Sequence, residues 1–171
     1  KNVLIKTVEK NSEQDILVRI QKLEQNGEEV LEKKAQEIAI IESEKRFKAL
    51  YEHSPDMYVS VSPKDASVLM CNDTFLNKTG YTRTEVIGSP IFSVYHQECM
   101  AEVRKAFQQF VDTGIVRNKD LVLKKNDGEK LHVILNVNSV KDDNGNLLYS
   151  ISSWRDNSEI HKAQQALKES E

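Results

Sequence analysis

Apolar positions in the first third of the chain recur with helical spacing, in two phases. Ile16, Ile20, Leu23, Gly27 and Val30 follow the 4-3-4-3 interval of a coiled-coil seam, and Leu31, Ala35 and Ile38 resume it one residue out of step. An offset of that kind is a stutter, and Gly27 sits where it falls. Glu, Lys and Gln fill most intervening positions. The spacing predicts a helix over about 12–53, roughly 60 Å long at 1.5 Å per residue, which is longer than a small domain is wide. A partner helix is the economical cover for such a seam; a single amphipathic helix lying on its own domain is the alternative. Ser54-Pro55 ends the helix, because the residue before Pro avoids the helical region.

The period then changes. Residues 57–62 and 68–71 read as short strands separated by Pro63-Lys64-Asp65. Asn72 caps a short helix over 72–78 that Gly80 stops, and one further turn over 84–87 ends at Gly88. A longer helix is predicted over about 97–111, with Cys99 or Met100, Val103, Phe107 and Phe110 on one face and Gly114 beyond its end. Strands follow at 121–125, 131–140 and 147–155, joined by Asn126-Asp127-Gly128 and Asp142-Asp143-Asn144-Gly145, both hairpin chemistry. Asp156 with Glu159 three residues later reads as an Asp capping box, after which Ile160, Ala163 and Leu167 continue a seam. The pattern predicts an α+β domain with an antiparallel sheet, entered and left by seam-bearing helices.

Composition sharpens the boundary. Of residues 1–53, 21 are charged and none before Phe47 is aromatic, so this stretch cannot close a core alone and needs a partner or stays disordered. The balance is near neutral throughout, with a net charge of −3, and offers no basic face for nucleic acid or anionic lipid. The apolar runs fall far short of the roughly 20 residues of a membrane span, and Lys1-Asn2 begins no signal peptide. Cys71 and Cys99 lack a CxxC partner and any His at metal spacing, so neither a disulfide framework nor a metal site is expected; two reduced thiols suit the cytoplasm.

Glu42-Ser43-Glu44-Lys45-Arg46-Phe47, Leu50, Ser54-Pro55-Asp56, Asn72, Phe75, Thr79-Gly80-Tyr81, Glu85-Val86-Ile87-Gly88, Asp127-Gly128, Asn144-Gly145 and Arg155-Asp156 together resemble the PAS (S-box) sensor domain. The resemblance implies a five-stranded antiparallel sheet cradling short helices around an interior pocket. It also implies a dimer, and a setting in bacterial sensor histidine kinases or related signalling proteins. On this reading residues 1–43 form a helical coiled-coil linker, 44–156 the PAS domain and 157–171 a C-terminal signalling helix. The sequence departs from the family after Asp156, where Asn157-Ser158 replaces the usual Ile-Thr. Leu167-Lys168-Glu169-Ser170-Glu171 echoes Ile41-Glu42-Ser43-Glu44, so a further PAS-like or kinase module is expected just beyond it.

Pocket chemistry follows from strand alternation. Leu131, Val133, Leu135 and Val137 share the inner face of their strand, and the matching register puts Leu148, Ser150, Ser152 and Trp154 inward on the last. Leu123 joins the expected lining. In the flavin-binding branch of the family a Cys follows the Gly that matches Gly88, and polar residues stand where this chain has Leu123, Val133 and Trp154; a flavin is therefore not expected. A haem is not expected either, because the long helix offers only Cys99 and Met100 as axial ligands. No cofactor is predicted; either Trp154 fills the pocket or a small ligand lies between Ser150 and Ser152. His53, His132 and His161 read as surface or interface residues. No phosphorylatable-His motif, Gly-rich ATP loop or GxSxG occurs, so the fragment is expected to be non-catalytic. The expected function is a homodimeric relay: Ile16, Ile20, Leu23, Leu31, Ile38, Ile160 and Leu167 form the dimer seam, and Gly27, Arg155, Asp156 and Glu159 carry the signal; a small-molecule or haem/redox sensor using the pocket and an inert structural dimerisation module are the alternatives.

Overall fold

The computed structural model describes the backbone of residues 2–170 and the side chains of residues 14–170. Lys1 and Glu171, the latter ending the Leu167-to-Glu171 phrase, lie outside the described residues. The chain divides into two compact units, residues 1–48 and 49–171. The first unit consists of helix α1 (Asn2–Glu52), whose last turn belongs to the second. Gly27 does not interrupt it. Along it Ile16, Ile20, Leu23, Leu31 and Ile38 are all exposed, Leu23 by 71% and Leu31 by 69%.

The second unit is a five-stranded antiparallel sheet with helices on one face. Its strands are β1 (Met57–Val61), β2 (Val68–Cys71), β3 (Ile115–Lys124), β4 (Lys130–Lys141) and β5 (Leu147–Asp156), in the order β2-β1-β5-β4-β3. Between β2 and β3 come α2 (Asp73–Thr79), α3 (Arg83–Val86), two single 3₁₀ turns at Ile91–Val94 and Gln97–Cys99, and α4 (Met100–Thr113). Helix α5 (Ser158–Glu169) follows β5. Two glycines end helices in the left-handed region that their neighbours would enter only with strain: Gly80 after α2 at φ +77° and Gly114 after α4 at φ +76°. A Cβ on Gly114 would also run into the Ser139 hydroxyl of β4, so the turn from α4 into the sheet requires glycine.

The core lies between the inner face of the sheet and α2, α3 and α4. Period-two alternation places Leu131, Val133, Leu135 and Val137 of β4 inside, as the sequence predicts. Trp154 of β5 pairs in register with Met57 of β1 and Leu135 of β4. Phe75 of α2 packs on the indole at 5.4 Å and Tyr95 meets it edge-on at 5.7 Å.

Three elements differ from the sequence reading. Strand β3 begins six residues earlier, at Ile115. Its first half carries a bulge between Val116 and Lys119, with Asn118 at φ +48°, which breaks the alternation. Arg117 and the Asn118 main chain stitch that bulge to Val137, Asn138 and Asn136 of β4. Leu148 is exposed rather than inward, because it lies where the β4–β5 hairpin runs past the core and the register shifts between Val140 and Lys141. The Asp156–Glu159 capping box does not form. Asn157 takes the N-cap position of α5 without a side-chain cap hydrogen bond, Asp156 accepts from the Ser158 N–H at 3.0 Å, and Glu159 turns to Lys162.

Candidate functional site

Two places in the second unit gather polar groups: an interior cavity, and the short helix α2 with what is fastened to its ends. The cavity is small, about 40 Å³, and lies between α4, the Ile91–Val94 turn and the inner faces of β4 and β5. Of the expected lining, Leu135, Ser150, Ser152 and Trp154 face it. Leu123 and Val133 do not; both are fully buried, but they lie further along the sheet in solid core. Phe92, Tyr95, Val103, Phe107 and Phe110 supply most of the remaining wall. At roughly 10–15 Å³ per water-sized sphere, the space holds a few atoms and not a large cofactor.

The polar groups on that wall are mostly occupied with each other. A register shift in β1 between Ser60 and Val61 takes the Val61 N–H out of the ladder, and Ser150 Oγ accepts it at 2.9 Å. Ser150 and Ser152 hydroxyls lie 3.1 Å apart. Trp154 Nε1 donates to the Tyr95 hydroxyl at 3.1 Å. Complete burial raises the Tyr95 phenol well above its ordinary value, and the indole donor only partly offsets this. Tyr95 is therefore a neutral hydroxyl whose own hydrogen has no acceptor among the described residues. The Cys99 thiol is engaged by the main chain, donating to His96 O and Val122 O at 3.3 Å.

Helix α2 is held at both ends. Asn72, fully buried at its N-terminus, uses its whole amide. Oδ1 accepts from the Phe75 N–H at 3.1 Å, which caps α2, and from the Tyr58 N–H of β1 at 2.9 Å. Nδ2 donates to Tyr51 O in the last turn of α1 at 2.9 Å and to Asp56 O at 3.1 Å. Thr74 Oγ1 donates to Ser54 O at 2.6 Å, and the Asp73 N–H donates to Glu52 Oε2 at 2.7 Å. Arg83 of α3 closes the group, pairing with Asp73 at 2.7 Å and Glu52 at 3.4 Å and donating to the Cys71 carbonyl. Burial of the Cys71 thiol raises its pKa against the pull of the Arg83 charge.

At the other end of α2, Lys78 Nζ meets Asp156 Oδ2 at 2.8 Å. Partial burial of Asp156 works against ionisation, but the hydrogen bonds from Lys78 and Ser158 outweigh it and hold the carboxyl below its ordinary 3.8. Next to it, Arg155 faces Asp56 at 3.4 Å. The structure thus brings Arg155 and Asp156 to one locus, while Gly27 lies in the first unit and Glu159 is almost fully exposed. Ile160 and Leu167 of α5 are exposed.

Sequence reasoning identified Asn72 only as a helix cap and missed its tie to α1; a buried side chain whose donors serve distant carbonyls leaves no local spacing. It also missed the stacking of His132 on His161, with ring centroids 3.7 Å apart. Both read in the sequence as surface or interface residues, and their contact depends on where α5 lies against β4.

Among the described residues no helix is long and apolar enough to cross a membrane. No curated protein matches the chain. Among solved structures, the PAS domain of an HTR-like protein from Haloarcula marismortui is 25% identical, with a TM-score of 0.59, over 72% of this chain and 98% of that one. A PAS domain from Colwellia psychrerythraea is 16% identical, with a TM-score of 0.59, over 66% and 94%. A LOV protein from Rhodobacter sphaeroides is 17% identical, with a TM-score of 0.60, over 72% and 71%. Residues 55–159 match the family described as PAS domain; with that match spanning more than half of the chain and the sheet order described above, the chain belongs to the PAS domain family.

Proposed function

We propose that this PAS module is a dimeric relay in a signalling protein of the two-component type, passing a change in α1 to α5 and from there to a histidine kinase or a further PAS module. The observation that carries the reading is the double fastening of α2. Its N-terminal end is bound to the last turn of α1 through Asn72 and Asp73 and to the Ser54 carbonyl just beyond it through Thr74, and its C-terminal end through Lys78 to Asp156, the last residue of β5, whose carboxylate in turn accepts from the first N–H of α5. A seven-residue helix is too short to absorb a displacement by bending, so a shift at one end reaches the other. Arg155 with Asp56 forms a parallel, weaker link. The fragment carries no catalysis of its own in this reading.

The exposed seam on α1 supports the dimer, since a helix that leaves Ile16, Leu23, Leu31 and Ile38 in water lacks the burial that stabilises helices. Two α1 helices packed in register along that seam supply it. Sedimentation equilibrium of the full chain tests this: a dimer is expected at micromolar concentration, and Leu23→Asp with Leu31→Asp should yield a monomer of unchanged β-sheet content. A monomeric unmodified chain, or a dimer that survives both changes, contradicts the proposal.

The unspent Tyr95 hydrogen supports a second reading, in which the cavity takes a small neutral molecule bearing an oxygen acceptor. Native mass spectrometry of the purified chain distinguishes it: bound mass lost in Tyr95→Phe favours a ligand sensor.

A further inference from the structure

Helix α5 buries no residue, so few contacts hold it to the domain. The Asn157 N–H donates to His132 O at 2.8 Å. Beyond this first turn, the His161 ring of α5 lies on the His132 ring of β4 at 3.7 Å, with 13° between their planes. The rings face a surface groove that also holds Glu98, Asp120, Asn157 and Gln164. We propose that this imidazole pair is a proton-operated latch: with the rings neutral it holds α5 against the sheet, and protonation of both rings releases the helix. The latch goes beyond the relay and stands whether or not α2 couples the two ends.

Two neutral imidazoles stack as apolar faces do, whereas two imidazolium ions under 4 Å apart repel. Burial first, and then the neighbouring His161, keep His132 below its ordinary 6.5; Glu98 opposes them and Lys130 adds to them. Glu98 is itself ion-paired to Lys130 and lies 3.4 Å from His96 Nδ1. From β3, Asp120 lines the same groove. From α5, Glu159 is turned to Lys162, and Asp156 at the end of β5 is committed to Lys78. A histidine held below its free value is one whose neutral form docking favours. Docking therefore keeps full strength above 6.5 and weakens progressively as pH falls below it. The parallel rings direct their nitrogen lone pairs along separate planes, and among the described residues no group of three His, Cys, Asp or Glu is arranged for a metal ion.

Amide hydrogen exchange on the full chain, one pH unit above and one below 6.5 and corrected for intrinsic rates, tests the latch. Protection over residues 160–167 should fall on the order of tenfold at the lower pH while that of residues 131–137 in β4 stays constant. His161→Phe keeps an aromatic stack but removes one of the two imidazoles, and should lessen the fall, leaving the part that comes from burial of His132. His132→Gln removes the stack and should give low α5 protection at both pH values. Unchanged α5 protection in the unmodified chain overturns the latch, as does a fall that persists undiminished in either variant. If His161→Phe loses β4 protection and so fails to fold, the His132→Gln result decides.

Discussion

The helix that leads into the PAS domain and the helix that leads out are fastened to the same short α2 by opposite chemistry. On the incoming side the fastening is buried and mainly neutral: Asn72, with no exposure, satisfies two main-chain N–H groups and two carbonyls. On the outgoing side it is exposed and charged, through Lys78 with Asp156 at the end of β5; beside it Arg155 pairs with Asp56, which lies between α1 and β1, and the stacked His132 and His161 rings follow. Buried neutral bonds are costly to break and respond little to salt or pH, whereas exposed ion pairs contribute little and respond to both. In the proposed relay the incoming junction transmits displacement and the outgoing junction is set by its surroundings.

Substitutions sharpen that contrast in a graded order. Asn72→Ala removes a helix cap and four side-chain hydrogen bonds to the main chain, all buried or part-buried, and should cost about 3 kcal/mol or more of the second unit's stability in urea melts. Asn72→Asp retains the acceptor but turns a second oxygen toward two carbonyls, and should recover little of the loss. Thr74→Val removes one short hydrogen bond to Ser54 O and should cost about 1 kcal/mol, independent of salt. Lys78→Ala should cost only about 0.5 kcal/mol, an effect that shrinks in high salt. With the Asp156 carboxyl held below 3.8, its share of stability is intact above that value and is lost as pH falls through the lowered one. A pH titration of Lys78→Ala should therefore show a smaller acid component, the part left being that of the Ser158 hydrogen bonds. Arg155→Ala, with its guanidinium mostly exposed and 3.4 Å from Asp56, should change stability by no more than a few tenths of a kcal/mol. A Lys78 effect as large as that of Asn72, or an Asn72 effect that salt removes, would break the contrast.

Much of this was legible in the chain because it is local. Strand β2 and helix α2, with Asn72 at its start and Gly80 at its end, follow from capping and turn residues whose partners lie within a few positions. The inner face of β4 follows from strict alternation. Strand β3 was half hidden because the bulge at Arg117 and Asn118 breaks the alternation that identifies a strand. The relay residues were legible only in part. Asp156 and Arg155 stood out by their resemblance to the family's exit motif, but Lys78, Glu52 and Asp56 are ordinary surface charges in the sequence. They become a set only when α2 spans the 21 residues between Glu52 and Asp73 and the 78 between Lys78 and Asp156. The cavity followed the same rule: Ser150 and Ser152 were placed by alternation, whereas Tyr95 reaches Trp154 across 59 residues.

The claim that α2 joins the two ends is tested most directly by α5 protection in Glu52→Ala, measured by amide exchange at neutral pH. Among the described residues no hydrogen bond or ion pair links Glu52 to α5; it holds the Asp73 N–H and Arg83 at the far end of α2. Severalfold lower protection over residues 160–167, with residues 131–137 of β4 unchanged, is the expected result. Protection of α5 equal to that of the unmodified chain would contradict it.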